Sequence, residues 1–154
     1  MKRYLFLFIT AALLVFFLSR LGLSDGTRIN FQGQRNFNKI SHFLSKDKSP
    51  FTIINNQKIK RGNGSFITLQ INGYMTTCGK TDVTLVFFGE ELAWIYLKNI
   101  SVGVDINICS KKEFNKYKSE SSDTQMSVEV KERKILYSDP IISAKMKKWI
   151  ETWS

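Results

Sequence analysis

The chain opens with two cations, Lys2 and Arg3, followed by an apolar run from Leu5 to Leu18 that only Thr10 interrupts. No other feature constrains the fold so tightly. A helix in a small water-soluble domain buries one stripe and exposes the rest, so a segment that is apolar all round has no place there. A bilayer does accept it, and a positive segment ahead of roughly 7 to 15 apolar residues is the pattern of an export signal. From Leu5 to Leu23 a helix would measure about 28 Å, close to the hydrocarbon thickness, with Arg20 reaching the far interface. No Ala-x-Ala pattern and no lipidation cysteine follows, and Gly22 with Ser24 is the one small pair at cleavage spacing. Residues 1–24 are therefore expected to form an uncleaved signal anchor, with a cleaved signal peptide as the alternative. Residues 25–154 form the extracytoplasmic domain in either case.

Export changes how the remaining composition is understood. Removing Lys2, Arg3 and Arg20 from the 23 basic residues leaves 20 against 13 acidic ones, a formal charge of +7 on the exported part. Outside the cytoplasm such a charge argues for an anionic membrane, an envelope glycan or an acidic protein rather than for direct contact with nucleic acid. The two thiols, Cys78 and Cys109, lie in an oxidising compartment, and their spacing fits neither a redox C-x-x-C nor a zinc knuckle, so they are expected to pair. Closing a loop of that length is worth about 3 to 4 kcal/mol in the chain-entropy account. One histidine cannot supply a multi-histidine metal centre. No metal and no cofactor is expected.

From Arg35 to Lys46, Phe37, Ile40, Phe43 and Leu44 recur at helical spacing. Beyond Phe51 the period shortens to two. Phe51–Ile54, Lys58–Lys60, Ser65–Ile71, Thr81–Phe88, Leu92–Leu97, Ile100–Cys109 and Met126–Tyr137 are expected strands, rich in β-branched and aromatic residues. Arg61–Gly64 marks a hairpin turn, Asn72-Gly73 a turn or bulge, and Gly89–Glu91 with Lys98-Asn99 the connectors. The polar stretch Lys111–Gln125 is expected to be an exposed loop. Asp139-Pro140 opens a final helix whose stripe is Ile142, Met146, Trp149, Ile150 and Trp153. Together these elements predict an α+β domain, β dominant, with an antiparallel sheet curling toward a barrel or sandwich, a short helix after the anchor and a C-terminal helix.

Residues with the means for chemistry are few. His42 lacks a serine or cysteine nucleophile, and its remaining role is that of a pH sensor, since imidazole titrates between about pH 5 and 8. Glu90 and Glu91 are adjacent in a turn and point apart, whereas glycoside hydrolysis needs two carboxyls facing across a gap. Gly62-Asn63-Gly64 has no following helix to lend a dipole to a phosphate. Trp149 and Trp153, among Lys145, Lys147 and Lys148, are candidate interface residues, at a membrane or over the sheet. No catalytic residue and no enzymatic activity is expected.

The anchor, the exported domain of about 130 residues, the single cysteine pair and the segment Gly64-Ser65-Phe66-Ile67-Thr68-Leu69-Gln70-Ile71-Asn72-Gly73 resemble a class of small bacterial inner-membrane accessory proteins. These are the partners of membrane-bound, winged-helix transcription activators, of the ToxS, PsaF and FidL type. The resemblance implies a single-pass inner-membrane protein with the bulk of its chain in the periplasm. It also implies that this domain binds the activator's own periplasmic segment and stabilises or tunes it. The alternative from another class is an envelope inhibitor or immunity protein that blocks a secreted enzyme with its basic loops.

Overall fold

The computed structural model describes residues 35–46, 51–58, 62, 64–118 and 124–153. The expected anchor at 1–24 lies outside them. Among the described residues no helix is long and apolar enough to cross a membrane.

Three helices and six strands follow one another as α1 (Phe37–Lys46), β1 (Phe51–Lys58), β2 (Ser65–Thr76), β3 (Gly79–Phe88), β4 (Glu91–Lys98), α2 (Ile106–Tyr117), β5 (Gln125–Glu129), β6 (Lys134–Ser138) and α3 (Pro140–Trp153). The strands form one antiparallel sheet in the order β1-β2-β3-β4-β6-β5. The fold is α+β with the sheet dominant, as the period-two segments predict. The sheet stays open, with β1 and β5 at its edges, because its two faces are each covered by helices.

Alternation along the strands separates the two faces. Ile67, Leu69 and Ile71 of β2, Val83, Leu85 and Phe87 of β3, Ile95 and Leu97 of β4, and Ile135 and Tyr137 of β6 point inward, beneath Ile40 and Leu44 of α1 and Ile106, Cys109 and Tyr117 of α2. Each fully buried aliphatic side chain contributes about 1.5–3 kcal/mol of transfer free energy, so this layer is the main source of stability. The register shifts on β3–β4 between Val86 and Phe87, which puts Ala93 and Trp94 side by side on the outer face while Leu92 and Ile95 stay inside. On that outer face α3 lies across the strands, with Ile142 and Met146 on Ala93, Trp94, Val86, Phe66 and Phe88.

Several boundaries differ from the sequence reading. Ile100–Cys109 is not a strand and Lys111–Gln125 is not a loop, because α2 occupies Ile106–Tyr117. Asp105 caps it, its Oδ1 accepting the N–H groups of Asn107 at 2.9 Å and Ile108 at 3.0 Å. The buried stripe Ile106, Cys109, Ser110, Glu113 and Tyr117 has helical spacing, but two of its five members are polar. Met126–Tyr137 is a hairpin rather than one strand, since the chain turns at Val130–Arg133 and Arg133 takes φ 50° without help from a glycine. Phe51–Ile54 and Lys58 belong to one strand, β1, which carries a bulge between Ile53 and Asn55. Asn72-Gly73 is the expected bulge, with Gly73 at φ 64°.

Candidate functional site

The sheet has an upper end, at the β3–β4 turn, and a lower end, where the β2–β3 turn, the loop after β4 and the β5–β6 turn come together. Gly89 and Glu90 both take positive φ at the upper turn, the conformation a two-residue hairpin requires. Here the N-terminal segment joins the domain. The Phe37 N–H donates to Glu90 O at 2.8 Å and the Leu92 N–H to Arg35 O at 2.8 Å. The Arg35 guanidinium pairs with Asp139 Oδ2 at 3.2 Å and donates to Tyr117 O at 3.5 Å, while Asp139 Oδ1 caps α3 through the N–H groups of Ile141 and Ile142. One cation therefore links the incoming chain to the end of α2 and the start of α3. Burial lowers the guanidinium's pKa, and the charges of Asp139 and Glu91 work against that shift. A shallow cavity of about 240 Å³ beside it is lined by Arg35, Asp139, Glu91, Lys145, Leu92 and Ile141.

At the lower end the expected disulfide is present. Cys78 and Cys109 are bonded, with Cα atoms 5.1 Å apart. Because Cys109 sits on α2, the bridge fastens a helix to the β2–β3 turn instead of joining two strands. A second link lies beside it. Glu113, 1% exposed, accepts the N–H of Thr77 and a 2.7 Å bond from Lys116 Nζ. Burial alone would raise this carboxyl's pKa, but the hydrogen bonds from Lys116 and Thr77 outweigh it and hold the group below its ordinary value. Tyr117 and Tyr137 pack nearby with rings 4.7 Å apart, and burial pushes both phenols well up, with the Glu113 charge adding to the effect. A buried carboxylate amid tyrosines that stay protonated is a structural brace, holding α2 on the sheet.

The expected interface tryptophans separate. Trp149, half-buried, packs on Phe66 and Phe88 at the margin of the outer core, with ring centroids 5.3 and 6.1 Å away. Trp153 remains 47% exposed at the end of α3. Both indoles lie against the glycine turn that precedes β2: a Cβ at Gly64 would meet Trp149 Cζ2 at 2.6 Å, and one at Gly62 would meet Trp149 Nε1 at 2.7 Å and Trp153 Cδ1 at 2.8 Å. Gly62 also takes φ 63°. His42 is exposed on α1, on the same outward side as Lys39 and Lys46, and the fold brings neither Trp149 nor Trp153 to it.

Other surfaces are open. On the outer face below α3, the Tyr96 ring lies under two ammonium groups, Lys98 Nζ and Lys134 Nζ, each 5.5 Å from its centroid, and Lys134 also pairs with Glu129 at 2.9 Å. At the edge, β1 pairs with β2 on one side and, among the described residues, with no strand on the other; Thr52, Ile53, Ile54 and Asn56 are exposed along it. An apolar groove of about 610 Å³ runs between α3 and the β4–β5 side of the sheet, over Trp94 and Met146. Among the described residues no group of three or more His, Cys, Asp or Glu side chains is placed to hold a metal ion.

No protein-family model matches the chain. It is 37% identical over 102 residues to the uncharacterized protein YdcD of Escherichia coli (strain K12), a match covering 65% of this chain and 64% of YdcD. The chain thus spans just under two thirds of that relative's length. The likeness to YdcD carries no activity with it.

Arg35, Glu113 and Arg133 each secure an element boundary, and none stands out in the sequence. For Glu113 a usable signal exists: it falls on the Ile106, Cys109, Tyr117 stripe at i+7 from Ile106 and pairs with Lys116 at i, i+3.

Proposed function

We propose that this is a non-enzymatic, membrane-anchored accessory protein of the bacterial envelope that works by binding, taking an extended partner segment along β1. The partner class is the extracytoplasmic segment of a membrane-bound transcription activator. The observation that carries the reading is the eight-residue edge strand β1, paired on one side only among the described residues, with Ile53 and Ile54 exposed along it. An edge strand presents a row of backbone donors and acceptors, so a second chain gains affinity through main-chain hydrogen bonds and needs no specialised side chains. Natural proteins blunt such edges with charge, yet Phe51–Gln57 contains no charged residue. The N-terminal apolar run and the export it implies supply the compartment in which an activator's extracytoplasmic segment would be met.

Ile54 offers a clean probe, because it sits at the bulge and has no register partner on β2. Ile54→Pro removes a β1 N–H at a bulge, a place where sheets accept proline. Affinity purification of the full chain from membranes of its own host is expected to recover a membrane-bound DNA-binding protein, and Ile54→Pro is expected to lose it. In a strain lacking the chain, that protein should turn over faster. Recovery of a secreted enzyme in its place would favour an inhibitor, and an unchanged partner with Ile54→Pro would remove β1 as the contact.

A further inference from the structure

The lower end of the domain carries a feature that strand addition does not use. Val102, Ile108 and Val130 are 88%, 55% and 52% exposed, and they come from three separate segments: the loop after β4, the first turns of α2, and the β5–β6 turn. The Arg133 side chain ties two of these segments together. Its Nε donates to Ile100 O at 3.2 Å, and one terminal nitrogen donates to Ser101 O and to Val104 O, the latter at 2.6 Å. Its own N–H turns back to Val130 O at 3.3 Å, and the Val104 N–H closes the loop on Ser101 O at 3.0 Å. Asp105 caps α2 directly behind, and the Cys78–Cys109 bond fixes the first half of that helix to the β2–β3 turn.

Aliphatic side chains held out in water on a braced loop are unfavourable for folding alone, and rigidity of this kind lowers the ordering cost of a contact. The surroundings are cationic. Lys111 and Lys112 continue the exposed stripe of Ile108 at i+3 and i+4, and Lys131 adjoins Val130. None of the three forms an ion pair among the described residues. Of the nearby carboxylates, Asp105 is engaged in the cap, Glu129 is paired with Lys134, and Glu132 is exposed. The tip also lies at the far end of the sheet from Arg35, where the N-terminal segment joins the domain, about 26 Å away along the eight residues of β4. The Arg133 bridge and the α2 cap hold the three aliphatics in fixed positions, an arrangement that suits a shaped hollow on a protein more than a fluid bilayer.

We infer that Val102, Ile108 and Val130, ringed by Lys111, Lys112 and Lys131, form a second contact surface that docks into an acidic-rimmed apolar hollow on a partner protein. Apolar anchors at the centre supply the buried area, and the lysines supply orientation and association rate. This surface is independent of β1.

The test uses the full chain in its host, with the photoreactive amino acid benzoylphenylalanine placed at Val102 and, as a control at the other end, at Ile141. Irradiation is expected to yield one protein adduct from position 102 and not from 141, and the cross-linked peptide is expected to be rich in Asp and Glu. Lys111→Glu with Lys112→Glu should lower the adduct yield about tenfold, while the gel shift on reduction shows that the disulfide, and hence α2, remains in place. Adducts with lipid alone, no adduct, an adduct on a basic segment, or a yield unaffected by the charge reversal would each overturn the assignment.

Discussion

Opening the Cys78–Cys109 bond removes a constraint on the unfolded chain whose size follows from the 31-residue separation. The loop-closure relation gives about 3 to 4 kcal/mol at 25 °C for a ring of that length. In a domain of this size each kcal/mol moves the melting temperature by about 4 °C, so the reduced protein should melt roughly 10 to 20 °C lower. Two versions of the perturbation separate the contributions. Reduction leaves both sulfurs in place, whereas Cys78→Ala with Cys109→Ala also deletes two buried sulfur atoms from the inner core. The double variant should therefore lie below the reduced wild type by a further ~1–2 kcal/mol. The assay is far-UV circular dichroism, by heat and by urea, on oxidised, reduced and doubly substituted protein. Because the effect acts on the unfolded ensemble, the urea m-value should rise when the ring is opened, as more surface is exposed on unfolding. A melting point within about 4 °C of the oxidised protein, with an unchanged m-value, would refute the reasoning and leave Glu113 and Thr77 as the sufficient link between α2 and the sheet.

The glycine turn before β2 should tolerate no side chain at Gly64. Gly64→Ala is expected to cost about 1–3 kcal/mol by pressing on the Trp149 ring, and Trp149→Leu in the same background should recover part of it; thermal melts that coincide with wild type would refute the close approach. Glu113 gives a pH signature. Its folded pKa lies below the ordinary 4.5, so its contribution is fully present above that value and is lost as pH falls through the lower, folded one. Glu113→Gln should therefore be less stable than wild type near neutrality, and the gap should close only as pH falls through the lowered folded value. A stability gap that persists unchanged into acid would show that the ion pair with Lys116 contributes nothing.

The elements that were legible in the sequence are those whose residues say one thing. β2, β3 and β4 alternate apolar and polar through long, β-branched runs, and α3 announces itself with Asp139-Pro140 and an apolar stripe. The cysteine pair, expected from a count of two, is bonded. α2 is illegible in the sequence because its buried side carries Ser110 and Glu113: the first finds its partner within the helix at Asn107 O, and the second only through the fold, at the Thr77 N–H. The β5–β6 turn was invisible for a similar reason: an arginine occupies the left-handed position, held there while its guanidinium bonds to the loop after β4. Glycine in the turn before β2 was foreseen for its backbone freedom, but the decisive reason is the nearness of two indoles that lie some 85 residues further on.

The sequence by itself determined the local periods, the thiol pair and the α+β class, since each depends on residues near one another in the chain or on counts. Tertiary structure alone decided that the sheet stays open, that Trp149 packs on Phe66 and Phe88 while Trp153 stays exposed, and which aliphatics remain in water at the lower end. Those outcomes depend on which distant groups meet: helices laid over both faces leave the sheet no occasion to close on itself, and one arginine bridging two loops fixes side chains outward that composition alone would have placed inside.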